Sequence, residues 1–397
     1  MSLRRSIVWG VAVSTAFATA LPIAAAVPSA GKRRRSHAKP AIMTVMYLVN
    51  TPDAIASFRA HADEVSIAAP QCFTMDAQGF VGGQVPPEVA AIAAAHHVAL
   101  MPLVTNRGFS QPLMHTVLDT PASRARAIRY LIYYARRDGY LGFQFDYEHI
   151  HYTYRRRFSA FFREAARAFH RHRLKLSVAV VGRLSDAPAL GSAPGGYADW
   201  GGVYDYRAIG RAADFVSIMA YPEHAGFSGP GPLAGYDWVQ KVLAYALARI
   251  PARKVSLGVP IYGVQWTPVA SGKAQPASFA QDNAGDAHLH WKVHSVAYDT
   301  IAQLLAGGPA QWDAATHTHF IAAAADGGAQ TWYEDAASLK AKLALVRRHR
   351  LPGISAWRLG MEDPAIWPLL AREFRIRHPR APAARGDFAQ RSAAAAR

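Results

Sequence analysis

The sequence predicts a (β/α)₈ barrel. Short apolar runs of β-forming residues alternate with helical patterns from residue 41 to residue 378, as eight parallel strands with connecting helices require. The predicted strands are Ile42–Leu48, Glu64–Ala69, Val98–Val104, Tyr140–Glu148, Lys175–Val181, Asp214–Tyr221, Lys254–Tyr262 and Gly353–Arg358. An open doubly wound sheet is the alternative, but no Gly-rich phosphate loop follows the first strand.

Helical patterns fill the intervals between these strands and follow the last one. They are predicted at Asp53–Ala62, Pro86–His97, Ala122–Arg137, Thr153–His172, Tyr204–Arg211, Asp237–Ile250, Ser338–His349 and Ala365–Arg377. Residues 264–337, after the seventh strand, are too many for a structureless loop in a compact domain. Alternating runs at 290–295, 318–322 and 329–333 predict a small α+β insertion between strands seven and eight.

The two ends of the chain differ in composition from the barrel. Residues 1–30 are typical of a signal peptide, because Arg4 and Arg5 precede the apolar stretch Ile7–Ala26, which ends in small residues. The stretch is also long enough for an uncleaved membrane anchor. Residues 31–40 are predicted to be a basic linker, and 379–397 a disordered tail. We therefore expect a secreted, periplasmic or cell-envelope protein.

Charge and cysteine content restrict the classes of partner. The formal net charge of +17 favours attraction to anionic polymers such as a cell-wall surface, with a merely solvated basic surface as the alternative. No specific nucleic-acid motif is present. The single cysteine, Cys72, excludes an intrachain disulfide. No histidine cluster has the spacing of a zinc motif, so neither a metal nor a cofactor is expected.

The fourth predicted strand carries two carboxylates at its end. Successive side chains of a strand point to opposite faces, so the aromatic residues 143, 145 and 147 share one face and Gln144, Asp146 and Glu148 share the other. Burying carboxylates is costly unless they are hydrogen-bonded or partly protonated. The pattern therefore indicates acid/base chemistry in a barrel, where catalytic groups lie at the carboxyl ends of strands. A solvated edge strand with two surface acids is the alternative.

Residues 141–148, Leu-Gly-Phe-Gln-Phe-Asp-Tyr-Glu, resemble the strand-4 signature of family 18 glycoside hydrolases, the chitinase-like enzymes. Leu141 and Gln144 replace the first two Asp residues of its common form, Asp-Gly-x-Asp-x-Asp-x-Glu. These departures resemble the branch that acts on bacterial cell walls and includes spore-germination glucosaminidases. Further motifs match in order at residues 101–106, 217–221, 229–234, 257–263 and 353–363, so the resemblance covers about residues 41–375.

The resemblance implies roles for individual residues. Glu148 would be the general acid and later the base, and Asp146 would hold the N–H of the sugar's acetamido group, whose carbonyl attacks the anomeric carbon. Tyr221 would hydrogen-bond the acetamido oxygen. Gln144 can hydrogen-bond Asp146 but cannot share a proton with it. The predicted substrate-binding residues are Gln144, Trp357, Met219, Asn106 and Tyr262. Asn106, Tyr262 and Trp266 are the weaker candidates for positions in the cleft.

These observations predict an exported glycosidase that cleaves β-1,4 linkages next to N-acetylglucosamine by substrate-assisted, retaining catalysis. An N-acetylglucosamine-containing polysaccharide is the expected partner, with peptidoglycan favoured and chitin as the alternative. A non-catalytic, lectin-like glycan-binding protein on the same barrel is a second hypothesis, although lectin-like members of the family usually lack the residue present here as Glu148. A basic protein that binds nucleic acid or anionic lipid by charge alone is a third.

Overall fold

A computed structural model describes residues 39–187, 196–225, 228–268, 291–322 and 328–380, all within the compact unit Lys39–Arg397. The predicted signal peptide, most of the basic linker and most of the C-terminal tail lie outside these residues. In the part of the chain that the structure describes, no helix is both long and apolar enough to cross a membrane.

The strands form a closed parallel barrel and a separate antiparallel sheet. In chain order they are β1 (Ala41–Leu48), β2 (Ile67–Met75), β3 (Val81–Gly83), β4 (Ala99–Leu100), β5 (Leu103–Asn106), β6 (Gly142–Asp146), β7 (Lys175–Val181), β8 (Val216–Met219), β9 (Val255–Pro260), β10 (Gly263–Pro268), β11 (Trp291–Val296), β12 (Gln311–Asp313), β13 (Thr318–Ile321), β14 (Gln330–Tyr333), β15 (Gly353–Trp357) and β16 (Arg375–Ile376). The barrel closes because β1 pairs in parallel with both β15 and β2. The predicted (β/α)₈ barrel is confirmed.

Among the described residues, nine helices connect the barrel strands or follow the last one, and a tenth, α8, belongs to the insertion. They are α1 (Pro52–Ala60), α2 (Pro87–Ala95), α3 (Gln111–Asp119), α4 (Pro121–Asp138), α5 (Arg155–Arg171), α6 (Tyr206–Ala212), α7 (Tyr236–Leu247), α8 (Tyr298–Leu305), α9 (Ala336–His349) and α10 (Ile366–Glu373). Side chains cap several of their first turns: Asp205 caps α6, and Asp335 forms a reciprocal capping box with Ser338 at α9. Gly139 ends α4 in the left-handed conformation, at φ 71°.

Several boundaries differ from the prediction, for local reasons. The third barrel strand is split into β4 and β5, and the proline between them, Pro102, has no N–H for a continuous ladder. Residues 62–64 form a 3₁₀ turn, so the second strand begins at Ile67 rather than at Glu64. The short helix α3 was not predicted; its start depends on Ser110, whose Oγ accepts the Leu113 N–H at 3.3 Å.

The insertion between strands seven and eight is confirmed. Strands β10 to β14 form an antiparallel sheet in the order β11–β10–β14–β13–β12, accompanied by α8. Its apolar centre contains Val264, Trp266 and Trp332, packed with Leu233. Because β10 begins three residues after β9 ends, the insertion starts close to the carboxyl end of that barrel strand.

The carboxylate strand β6 lies in the middle of the barrel wall, paired with β5 and β7. Its aromatic face packs on the amphipathic helix α5, with the Phe145 ring 5.6 Å from that of Phe161 and 5.7 Å from that of Phe162. The opposite face therefore points into the barrel. The alternative of a solvated edge strand is wrong, because β6 is hydrogen-bonded to a neighbouring strand along both of its edges.

Candidate active site

Two carboxyl groups lie together at the carboxyl end of β6. Asp146 is the last residue of the strand and Glu148 follows two residues later; their exposed fractions are 5% and 9%. Asp146 is in register with Thr105 of β5, so the pair sits at the edge of the barrel where all eight strands end. This is the position that supports catalysis in (β/α)₈ barrels.

Burial and mutual repulsion keep protons on this pair. Burial raises the pKa of Asp146 to about 7, and the side-chain amide of Gln71 lowers that pKa by hydrogen bonding. Burial also raises the pKa of Glu148 well above its ordinary value, and the negative charge of Asp146 raises it further. Ionising one of two interacting carboxyl groups makes it harder to ionise the other. Both causes favour the protonated form of Glu148, which is the form that a general acid needs.

Asn106 holds the main chain of Glu148. Its Oδ1 accepts the Glu148 N–H at 3.0 Å, its Nδ2 donates to the Glu148 carbonyl at 3.0 Å, and Nδ2 also approaches the Ser110 carbonyl at 3.3 Å. Asn106 is completely buried. The prediction that Asn106 contacts the substrate is therefore wrong. Both polar atoms of its side chain bind the main chain of Glu148 and hold that residue in position.

Gln144 takes part in a buried polar chain inside the barrel. Its Nε2 contacts the Ser177 Oγ at 2.9 Å and the Ser217 Oγ at 3.1 Å. The chain continues from Ser217 to Ser355, and from Ser355 to Ser256, with both Oγ–Oγ distances 2.7 Å. All five residues are buried. The bond to Asp146 expected for Gln144 is replaced by these serine contacts, and full burial also corrects its prediction as a substrate-binding residue.

Tyr221 lies directly beyond the end of β8, next to a cis peptide bond to Pro222, and it is partly exposed. Burial raises the pKa of its hydroxyl well above the ordinary value, and the nearby hydroxyls of Tyr47 and Tyr262 and both carboxylates raise it further. The hydroxyl is therefore neutral and able to donate a hydrogen bond, and it lies near enough to both carboxylates to be influenced by their charge. Met219, the last residue of β8, is also partly exposed.

Trp357 and Tyr262 stand at the ends of the last two barrel strands and are partly exposed. The Trp357 ring lies 5.8 Å from the ring of Tyr47, at an angle of 49°. Trp266 does not join them. It is completely buried in the centre of the insertion, so the prediction of a cleft position for Trp266 is wrong.

The structure adds residues that the sequence did not single out. Gln71 of β2 faces Asp146, and Tyr47 at the end of β1 is electrostatically coupled to the same carboxylate. The hydroxyl of Tyr204 donates to the Tyr147 carbonyl at 2.8 Å and so fixes the peptide that precedes Glu148. None of these three residues belongs to a motif recognised in the sequence. Closure of the barrel brings them to the site.

Within the described ranges, no group of three or more His, Cys, Asp and Glu side chains is arranged to hold a metal ion. The groups that the structure brings together at this site are two buried carboxyl groups, a tyrosine hydroxyl and an aromatic ring.

Comparisons with known proteins identify the family of this chain. The family model for glycosyl hydrolases family 18 matches residues 50–362. A cortical fragment-lytic enzyme of Bacillus subtilis (strain 168) is 31% identical over 298 residues, which are 73% of this chain and 64% of that protein. This chain thus spans less than two thirds of the length of that relative.

Solved structures show the same fold. The spore cortex-lytic enzyme SleL of Bacillus megaterium QM B1551 superposes with a TM-score of 0.74 at 22% identity, covering 87% of this chain and 76% of that one. A chitinase of Chromobacterium violaceum ATCC 12472 superposes with a TM-score of 0.71 at 27% identity, covering 84% and 98%. The family match, the barrel and its carboxyl pair together place this chain in family 18 of the glycosyl hydrolases.

Proposed function

We propose that this protein is an exported glycosidase that cleaves β-1,4 linkages next to N-acetylglucosamine, with peptidoglycan as its substrate. The observation that carries the proposal is the buried pair Asp146 and Glu148 at the carboxyl end of the barrel strands, both with raised pKa values. A non-catalytic glycan-binding barrel has no need to bury two acids side by side, since their desolvation destabilises the fold.

Glu148 supplies the proton in the first step. The acetamido carbonyl oxygen of the substrate attacks the anomeric carbon as the glycosidic C–O bond breaks, and the leaving oxygen takes the proton from Glu148. A cyclic oxazolinium ion and an ionised Glu148 result. In the second step the carboxylate removes a proton from water, which attacks the same carbon and reopens the ring. Two displacements at one carbon retain its configuration.

Asp146 and Tyr221 act on the acetamido group itself. An ionised Asp146 accepts the acetamido N–H and stabilises the positive charge that develops during ring closure. The Tyr221 hydroxyl donates to the acetamido oxygen and orients it for attack. Because Gln144 is held by Ser177 and Ser217 and cannot ionise, the proton on the pair is shared between Asp146 and Glu148 alone.

Two observations support peptidoglycan over chitin. The relative in Bacillus subtilis is named for lysis of cortical fragments, and the +17 net charge suits a polymer that carries carboxylates. The similarity to a chitinase keeps chitin as the competing substrate, because both glycans present the acetamido group that the reaction needs. Export is supported by the sequence of residues 1–30 alone; sequencing the N-terminus of protein from the native host tests it.

Mass spectrometry of reaction products tests the proposal. Purified protein is incubated separately with peptidoglycan and with chitin oligomers, beside Glu148→Gln and a matched surface variant, Glu164→Gln. Glu164 is a half-exposed carboxylate on α5, so its amide controls for the loss of one charge. Products with a reducing N-acetylglucosamine end are expected from peptidoglycan with the wild type and Glu164→Gln, and none with Glu148→Gln.

Other outcomes distinguish the alternatives. Products from chitin alone would make the protein a chitinase and overturn the choice of substrate. The absence of products from either polymer, with wild type and Glu148→Gln both bound to glycan, would refute catalysis and favour the lectin-like protein.

A further inference from the structure

The outer face of α4 carries a groove far from the carboxyl pair in sequence. It is shallow, encloses about 360 Å³ and is lined by Phe80, Arg126, Arg129, Tyr130 and Tyr133. We propose that this α4 groove is a second binding site, outside the catalytic site, for a glycan strand that bears carboxylates. The inference goes beyond the proposed function, because it assigns a binding surface that takes no part in bond cleavage.

Helical spacing places the lining residues on one face. Arg126, Tyr130 and Tyr133 are four and three residues apart, so their side chains follow one another along the outside of α4. Arg126 and Tyr133 are seven positions apart, which corresponds to about 10 Å along the helix axis. This length suits a short saccharide segment that lies along the surface of the helix.

A rigid turn holds Phe80 at the end of this row. The Asp76 carboxylate accepts the N–H groups of Gln78 and Phe80 at 3.0 and 2.9 Å, and the Asp76 N–H donates to the Phe80 carbonyl at 3.0 Å. Gly79, at φ 80°, lets the turn pack on Ser123 at the start of α4, where a Cβ atom would lie 2.1 Å from the Ser123 carbonyl oxygen. The turn therefore fixes its position against α4.

The groove exposes aromatic surface. Phe80 is 47% exposed and Tyr133 is 39% exposed, although both are large apolar rings. The Phe80 and Tyr130 rings lie 5.8 Å apart, and the Arg126 guanidinium lies 4.6 Å from the centre of the Phe80 ring. A preformed, solvent-facing aromatic surface binds a flat apolar face, such as that of a sugar ring, with little loss of conformational entropy.

The charge of this surface selects an anionic form of that ligand. Helix α4 contains five arginines and a single acid, Asp138, which pairs with Arg137 at 2.6 Å. The neighbouring helix α5 contains six arginines and a single acid, Glu164, which pairs with Arg124 of α4. These acids thus pair with arginines outside the groove. Arg126 donates to the Gln78 carbonyl at 2.5 Å, which leaves its positive charge uncompensated, and Arg129 adds a second positive charge that attracts carboxylates.

The position of the groove also favours a glycan. The turn that carries Phe80 leaves β2 at Met75, which is in register with Asn106, the residue that holds Glu148. The groove therefore begins beside the edge of the barrel where the carboxyl pair lies. This is the edge at which a glycan would enter the proposed catalytic site.

Binding to an insoluble polymer tests the proposal. The parent protein is the full chain with Glu148→Gln, so that no substrate is consumed and the result does not depend on catalysis. Its affinity for peptidoglycan freed of phosphate polymers is compared with that of two double variants, Phe80→Ala/Tyr133→Ala and Arg126→Gln/Arg129→Gln. The matched control is Arg163→Gln/Arg167→Gln, which removes two exposed charges from α5.

Both groove variants are expected to bind peptidoglycan about tenfold more weakly than the parent, and the control like the parent. The affinity for neutral chitin should fall in the Phe80→Ala/Tyr133→Ala variant but not in the Arg126→Gln/Arg129→Gln variant. Unchanged binding by both groove variants would overturn the proposal. An equal loss of binding in the control would also overturn it, because it would show that positive charge anywhere on the surface is sufficient. Binding to duplex DNA is measured in parallel. If the groove variants lost affinity for DNA and kept their affinity for peptidoglycan, the groove would be assigned to nucleic acid instead. Circular dichroism checks that every variant is folded.

Discussion

The substitution Asn106→Ala tests whether the position of Glu148 depends on one buried amide. The wild-type side chain makes three hydrogen bonds, of which two join both polar groups of the Glu148 peptide at 3.0 Å. Alanine leaves that buried N–H and C=O without partners, and each unsatisfied group costs about 1–3 kcal/mol. We therefore expect the free energy of unfolding to fall by about 3 kcal/mol, which a typical domain survives.

The effect on catalysis should exceed the effect on folding. Displacing a catalytic group by about 1 Å lowers the rate roughly 100-fold. We expect kcat of Asn106→Ala on a soluble aryl glycoside of N-acetylglucosamine to fall by that factor with little change in KM, because the substrate contacts are retained. Urea unfolding followed by tryptophan fluorescence measures the stability of the same samples.

Ser110→Ala is the matched control for this prediction. It removes the cap of α3, at a cost of about 1 kcal/mol, and keeps the Ser110 carbonyl that Asn106 contacts. Its kcat should equal that of the wild type. If Asn106→Ala kept wild-type kcat, or lost no more than Ser110→Ala, the argument that Asn106 positions the general acid would be refuted.

Three further predictions follow from the site and its surroundings. Tyr221→Phe should lower kcat about 100-fold while the protein stays folded, because one donor to the acetamido oxygen is lost; steady-state kinetics measures it, and an unchanged kcat would remove Tyr221 from the mechanism. The pKa of Asp146 is raised to about 7 in the folded protein, so the stability that its protonated form confers is present below about pH 4 and is lost as pH rises through 7. Asp146→Asn should therefore gain stability relative to the wild type between pH 5 and pH 8 (urea midpoints at each pH), and parallel curves would contradict the raised pKa. Lys342→Met should cost about 3–5 kcal/mol, since it leaves Glu334 charged and buried without its partner at 2.7 Å; adding Glu334→Gln should restore much of the loss in thermal unfolding, and failure of this rescue would mean that packing, not charge, is responsible.

The exchange of Asp for Gln at position 144 has a structural consequence in this protein. An amide can hydrogen-bond neutral hydroxyls on both sides without changing its charge, and Gln144 does so with Ser177 and Ser217. The barrel interior beneath the carboxyl pair is therefore a neutral hydrogen-bonded chain. A third carboxylate at this depth would add the cost of its own desolvation.

Much of the fold was predictable from local sequence. Alternation of β-forming and helical runs is a property of neighbouring residues, and it indicated all eight barrel strands and the insertion. The two-residue period of a strand was enough to put Phe145 against α5 and Asp146 inside the barrel. The start of α3 was missed because a single cap residue, Ser110, is a weak signal.

The sequence by itself determined which residue types stand at the end of β6: two acids on one face, preceded by an amide, with aromatic residues opposite. Only the tertiary structure decided what those groups touch. Asn106 reaches Glu148 across 42 positions of sequence, and Ser217 reaches Ser355 across 138. Such contacts follow from closure of the barrel, which brings the ends of distant strands together, and no local pattern records them. Trp266 is a further example, because it was a candidate for the cleft and the packing of the insertion buries it instead.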